Sequence, residues 1–467
     1  MGAPRSGTSK KSSKDQSIRD NMKNKKKPAQ TPRRGKPPST EPEKTNLIDL
    51  SATIPVTLQQ LLLNVFRSAL LADTYGGEDR STNAGKNDSA PSGEDRDETV
   101  ASPEALESRQ LDTKTLIQTI KSHLYNRDFD SAFTDAGEDL LRAYALRWSA
   151  ARALGYAGVF RSLLTVLLRQ DGLISSTGPN HVLCIGGGAG AEIVALAAAW
   201  RDVMDEADQG EMLSAGVTGV SLDGSDRPGS ESAQKASMGA ISKSARHPAL
   251  SVTAVDIADW SSVVDRLSYT IRSPAVPGSK SHPAPLLHPG AGSDDGDAAG
   301  FAVRFSRSDV LSMSEDQLKG LLHCSTPDRE SSRDATVMVT LMFTLNELFS
   351  TSMAGATAFL LRTTDLLQPG TLLLVVDSPG SYSTLKLGKG KAREGTGSST
   401  VQERQYPMKF LLDHTLLSVA EGKWERIYSQ DSRWWRRDAT RLGYDVGEGA
   451  GLEDMRYQVH IYRRLAN

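Results

Sequence analysis

The chain has 467 residues, enough to bury a substantial core in one large or two ordinary domains. Only 38% of them are apolar, so part of the chain is expected not to fold, and the formal net charge of -2 by itself points to no partner. Two cysteines exclude a disulfide framework and fit a reducing compartment, the 8 histidines form no pair with metal-ligand spacing, and no apolar run approaches the length of a membrane span.

Residues 1–50 read as a disordered basic tail, with clusters at Lys10-Lys11, Lys23 to Lys27 and Arg33 to Lys36. Such clusters attract polyanions or a nuclear import receptor, or only keep the chain in solution. Residues 51–178 read as a helical region capping the rest, interrupted by a Gly, Ser and Asn-rich insertion at 77–104. Its first helix follows Thr53-Ile54-Pro55 and places Leu58, Leu61, Leu62, Val65, Phe66, Ala69 and Leu70 on one face. Helical periodicity returns over 112–124, 129–148 and 151–170. Between Tyr144 and Phe160, Arg147, Trp148, Arg152 and Tyr156 stand among small residues. Trp148 and Tyr156 suit stacking on a base, with Arg147 and Arg152 as phosphate partners; packing between helices accounts for them equally simply.

Residues 179–467 carry the nucleotide-binding pattern. A buried strand at His181 to Ile185 runs into Gly186, Gly187, Gly188, Ala189 and Gly190 and then an Ala-rich helix. Glycine allows positive φ and close approach of a ligand to main chain, and the unpaired amides opening the helix favour an anionic or electron-rich group. The G-x-G-x-G spacing of Gly186, Gly188 and Gly190 differs from the dinucleotide fingerprint, and the turn lacks the Lys and hydroxyl of a phosphate loop. It is similar to the turn of Rossmann-like methyltransferases that bind S-adenosylmethionine.

The next strand, Leu250 to Ile257, puts Asp256 where an acid takes two ribose hydroxyls, provided that 205–248 is a flexible insertion; Asp223 is the rival. A second insertion is expected at 273–300. Phe301 to Phe305 is a third strand, with Asp309 placed to meet an adenine amine. Thr336 to Leu345 is apolar enough for a central parallel strand, and Asn346 and Glu347 follow at its carboxyl end, to read a base or accept a proton, or to cap a helix. A helix over 359–367 leads to strand five, 371–376, which ends in Asp377 and a loop carrying Tyr382. A third insertion, 386–403, is Gly, Lys and Ser-rich. After a helix over 407–419 and a strand over 424–428, Ser432 to Arg437 interleaves cations with Trp434 and Trp435. Such a composition grips single-stranded nucleic acid by stacking and charge. Alternation around Tyr457, Val459 and Ile461 marks an antiparallel final strand.

In that order CIGGGAGAE (184–192), RWSAARALGY (147–156), VDIADW (255–260), TLMFTLNEL (340–348), VVDSPGSYS (375–383) and MRYQVHIYRRL (455–465) resemble the fungal 25S ribosomal RNA uridine-N3 methyltransferases. The resemblance implies an α/β, Rossmann-like class I methyltransferase with a mainly parallel seven-stranded sheet and an antiparallel edge strand. It implies S-adenosylmethionine as methyl donor and a uridine of large-subunit rRNA, free or in a pre-ribosomal particle, as acceptor, with no metal and no membrane. A monomer in the nucleus and its nucleolus is expected, the cytoplasm being the alternative. Many class I enzymes place an acid two residues before the first glycine, where this chain has Cys184. A dinucleotide oxidoreductase, a non-catalytic assembly factor that keeps the fold, and a small-molecule methyltransferase are the competing readings.

Overall fold

The computed structural model describes residues 48–71, 111–169, 179–218, 248–287, 300–322, 336–380, 382–386 and 403–466. The basic tail up to residue 47, the insertion expected at 77–104, Asp223 and nearly all of 386–403 lie outside the described residues.

Seven strands form one sheet in the order β3-β2-β1-β4-β5-β9-β8. They are β1 (Pro179–Ile185), β2 (Ala249–Asp256), β3 (Phe301–Arg307), β4 (Thr336–Met342), β5 (Leu372–Asp377), β8 (Trp424–Trp435) and β9 (Met455–Arg464). The first five pair in parallel; β9 runs antiparallel between β5 and β8. A separate hairpin joins β6 (Tyr382–Lys386) to β7 (Glu403–Pro407). All residues of β4 and β5 are buried, as a parallel strand requires when helices cover both faces. Alternate side chains feed two cores. Val182 and Cys184 of β1 join one apolar cluster, Leu183 and Ile185 the other.

The first cluster is covered by α1 (Val56–Leu71), α4 (Ala150–Arg169), α5 (Ala191–Thr218) and α6 (Ser261–Thr270), the second by α7 (Glu315–Leu321), α8 (Leu345–Thr351), α9 (Met353–Leu366) and α10 (Met408–Asp413). The N-terminal helices therefore form a layer of the same core, since residues from 46 onward make one compact unit. In α1 the seven apolar positions named above are all buried. The continuous helical stretch Glu138–Arg169 is, among the described residues, the one long and apolar enough to cross a membrane, yet 72% of its apolar window is buried inside the protein.

Three boundaries differ from expectation. α5 runs through Thr218, past the loop expected from residue 205, because its acids and alanines remain acceptable helix formers. Residues 273–287 are anchored by buried Val276, Leu286 and Leu287, and the Leu287 amide donates to the Ile271 carbonyl at 2.9 Å. β4 stops at Met342, since Phe343 has a φ of 60° and Leu345 already belongs to α8.

Candidate active site

The strand order reverses between β1 and β4, and a crevice opens at the carboxyl ends of strands flanking such a switch point. Here a cleft of about 750 Å³ is lined by Gly186, Asp256, Asp309, Asn346, Glu347 and Asp377, and also by Arg152 from α4. Seven of the residues singled out in the sequence thus meet in one cavity, of a size usual for a small-molecule site.

The glycine turn is packed from below. Gly186 has a φ of +75°, a left-handed conformation costly for any other residue, and a Cβ there would meet the Thr344 hydroxyl of the β4–α8 link. At Gly188 a Cβ would lie 2.2 Å from Trp260 Cδ1 and 2.9 Å from Asp256 Cβ. Gly188 is therefore required so that β2 and Trp260 can approach the turn. Gly187 and Gly190 are placed behind the cleft, against Cys184 and Leu267.

Asp256 accepts the Gly188 amide on Oδ2 and the Ala258 amide on Oδ1, both at 3.2 Å. Burial pushes its carboxyl above the usual carboxylate range, while those amides and the Trp260 side chain favour the ionised form. Each oxygen keeps a lone pair for a ribose hydroxyl. Asp309 accepts the Leu311 amide at 2.9 Å and is held half-buried on the same wall.

Across the cleft, buried Asp377 accepts the Asn346 amide at 3.1 Å and the Ser378 amide at 2.7 Å. It ties the end of β5 to the first turn of α8. Glu347 is exposed in the cleft, and Asn346 Nδ2 approaches its Oε1 at 3.4 Å. The Asn346 Oδ1 is buried without a hydrogen-bond partner.

The remaining candidates are elsewhere. Arg147 is buried in an ion pair with Glu453 and donates to the Gly451 carbonyl, pinning the loop before β9. Trp148 stacks on Tyr144 with ring centroids 4.9 Å apart, in an aromatic wall that continues to Phe133 and Trp260. Both belong to a π-helical stretch, Ala145–Ser149, whose extra residue per turn shifts their phase from the one an α-helix gives. Neither lines the cleft. Tyr382 on β6 and Trp434 on β8 are exposed and also outside its lining. Trp434 pairs in register with Arg456, and Arg436 Cζ is 4.5 Å from its ring. Trp435 turns inward toward Gly155 of α4.

Sequence reasoning missed one wall altogether. Leu124, Arg127, Phe129 and Phe133, in and after α2 (Thr113–Tyr125), face the glycine turn across the cleft. Phe343 was missed too. Its positive φ is unusual for a bulky residue, and the Arg152 guanidinium lies over its ring at 4.9 Å. Arg152 Nη1 also donates to the Tyr144 hydroxyl at 2.9 Å. Glu192, in the first turn of α5, is buried and its Oε1 has no hydrogen-bond partner. Burial pushes its carboxyl up to about 8, against its own backbone amide and the charge of Arg152. Among the described residues no group of three or more His, Cys, Asp or Glu is arranged to hold a metal.

The family model describing a SAM-dependent methyltransferase matches residues 99–463. The chain is 31% identical over 351 residues to the 25S rRNA (uridine(2843)-N(3))-methyltransferase of Saccharomyces cerevisiae, covering 74% of this chain and 76% of that protein. Among solved structures, an O-methyltransferase family protein from Burkholderia thailandensis is 13% identical, with 76% of this chain and 71% of that one covered and a TM-score of 0.29. A point mutant of the 16S rRNA (adenine(1408)-N(1))-methyltransferase from Catenulisporales acidiphilia is 12% identical, with 62% and 90% covered and a TM-score of 0.26. Those two likenesses are too distant to bear on function. The glycine turn, the sheet order and the sequence match over most of its length agree, and the chain belongs to the family of S-adenosylmethionine-dependent methyltransferases.

Proposed function

We propose that the protein methylates N3 of a uridine in large-subunit rRNA. The observation that carries this reading is the gathering of Asp256, Asp309 and the glycine turn on one wall of a single cleft, with Asn346 and Glu347 on the other. The first set suits an adenosyl group: Asp256 has lone pairs for the ribose hydroxyls, and Asp309 a carboxylate for an exocyclic amine. The donor supplies a methyl group already activated by its sulfonium, so the chain's task is alignment and exclusion of water. Phe129, Phe133, Leu311 and Phe343 give the cleft its apolar lining for that purpose.

Uridine N3 carries a proton, and its lone pair becomes available only as that proton leaves. Glu347, open to the cleft, is placed to take it. Asn346 offers a donor and an unpartnered acceptor to the pairing edge of the base. Asp377 acts through Asn346 as a positioning residue, because amide hydrogens already engage both its oxygens. A base inside a duplex cannot present this edge, so the target is unpaired or flipped into the cleft. Trp434 with Arg436 and Arg456, exposed at the same end of the sheet as the cleft, suits a flanking base and its phosphate. The basic clusters in residues 1–44 support a nuclear, nucleolar site of action, where pre-ribosomal particles form.

The test is reverse-transcription mapping of rRNA from cells with and without the gene. An N3 methyl group blocks pairing and stops the transcriptase, so one stop in 25S rRNA is expected to vanish in the deletion and return with the wild-type gene. An unchanged stop pattern overturns the assignment.

A further inference from the structure

We propose that Arg152 and Glu192 form a paired clamp for the amino-acid end of the methyl donor, the guanidinium taking its α-carboxylate and the carboxylate its α-ammonium. The inference rests on the donor reading above and extends it to two residues that the sequence motifs do not assign to this end of the molecule.

The strand position two residues before Gly186 is Cys184, buried and uncharged, so nothing there balances an ammonium group. Glu192 follows two residues after Gly190, at the opposite side of the same turn. It is buried to 3% exposure and leaves Oε1 unpartnered, although burial of a carboxylate without a partner is costly. Its field is set by Arg152 on one side and Asp256 on the other, and both of those line the cleft. Arg152 is held over Phe343 and against the Tyr144 hydroxyl, so the guanidinium is fixed in direction yet retains further N–H donors. An anchored cation beside an incompletely partnered acid matches the charge pattern of an α-amino acid zwitterion.

The arrangement links donor binding to a proton. The groups that act on Glu192 are Arg152 and Tyr156 from α4, Cys184 from β1 and Asp256 from β2. Of these only Arg152 favours its ionised form, and with a carboxyl near 8 Glu192 is mostly protonated at pH 7. Contact with an ammonium requires the carboxylate, so a proton leaves as the donor binds. Affinity then increases with pH up to that value, by roughly tenfold between pH 6.5 and 7.5.

The experiment is calorimetry with S-adenosylhomocysteine and with 5′-methylthioadenosine, which keeps the adenosyl sulfur and lacks the amino-acid end. Wild-type protein is expected to prefer the first ligand, and the preference to grow from pH 6.5 to 7.5. Glu192→Gln is expected to weaken S-adenosylhomocysteine at least tenfold and leave methylthioadenosine unchanged. Equal change for both ligands, or no change for the first, overturns the clamp. If Glu192→Gln does not fold, the wild-type profile decides, and a preference independent of pH overturns the proposal. Failure of wild-type protein to bind either ligand instead refutes the donor site itself.

Discussion

Gly188→Ala tests whether the glycine turn is held by its neighbours. The added methyl carbon would lie 2.2 Å from Trp260 Cδ1, 2.5 Å from its Cγ and 2.9 Å from Asp256 Cβ. Ordinary contact between carbons is about 3.5–4 Å, so the indole must retreat by more than about 1 Å. It has little room: Trp260 is buried, with Tyr144 and Phe133 ring centroids at 5.7 and 6.2 Å. Overpacking of this kind costs about 1–3 kcal/mol, and movement of Asp256 also disturbs its bond from the Gly188 amide. We expect about 2 kcal/mol lower stability in urea titrations, with weaker binding of S-adenosylhomocysteine. Gly210→Ala is the matched control, since Gly210 is exposed in α5 with nothing near the added carbon, and alanine there is expected to gain up to about 1 kcal/mol. An unchanged denaturation midpoint for Gly188→Ala refutes the packing argument.

Glu347→Gln is expected to lower single-turnover methylation about 100-fold while donor affinity is unchanged, and undiminished turnover removes the proton-accepting role. Buried His460 is held between Ser429 and the Gln458 side chain, and burial lowers its imidazole to about 4. The unfolded chain, with an ordinary histidine, binds the proton first, so this residue's contribution is complete above pH 6.5 and lost as the pH falls toward 4. The loss is on the order of 3 kcal/mol. His460→Gln is expected to flatten that part of the stability profile, measured by urea titration at about pH 7 and about pH 4.5; an equally steep profile contradicts it.

The sheet was readable because its signals are local. β4 and β5 are continuous apolar runs, the glycine turn has a fixed spacing, and Asp256, Asp309 and Asp377 follow directly from being at strand ends. The cleft's other wall gave no such signal. Leu124, Phe129 and Phe133 look like any apolar residues of a helical segment, and only the fold turns them toward the glycines. Arg147 and Trp148 had a composition suited to nucleic acid, but the π-helical stretch that carries them and the Glu453 ion pair direct them into the protein. Glu192 reads as an ordinary acid in a helix's first turn, favourable there for the helix dipole, and its isolation emerges only with burial.

The position of β9 has a consequence for the order of assembly. β8 is an edge strand whose one neighbour in the sheet is β9, and β9 is also what joins it to β5. During synthesis β8 leaves the ribosome earlier but has nothing to pair with until residues 455–464 have followed. The five parallel strands and their helices can condense while translation continues; the rim of the cleft that carries Trp434 is completed only afterwards.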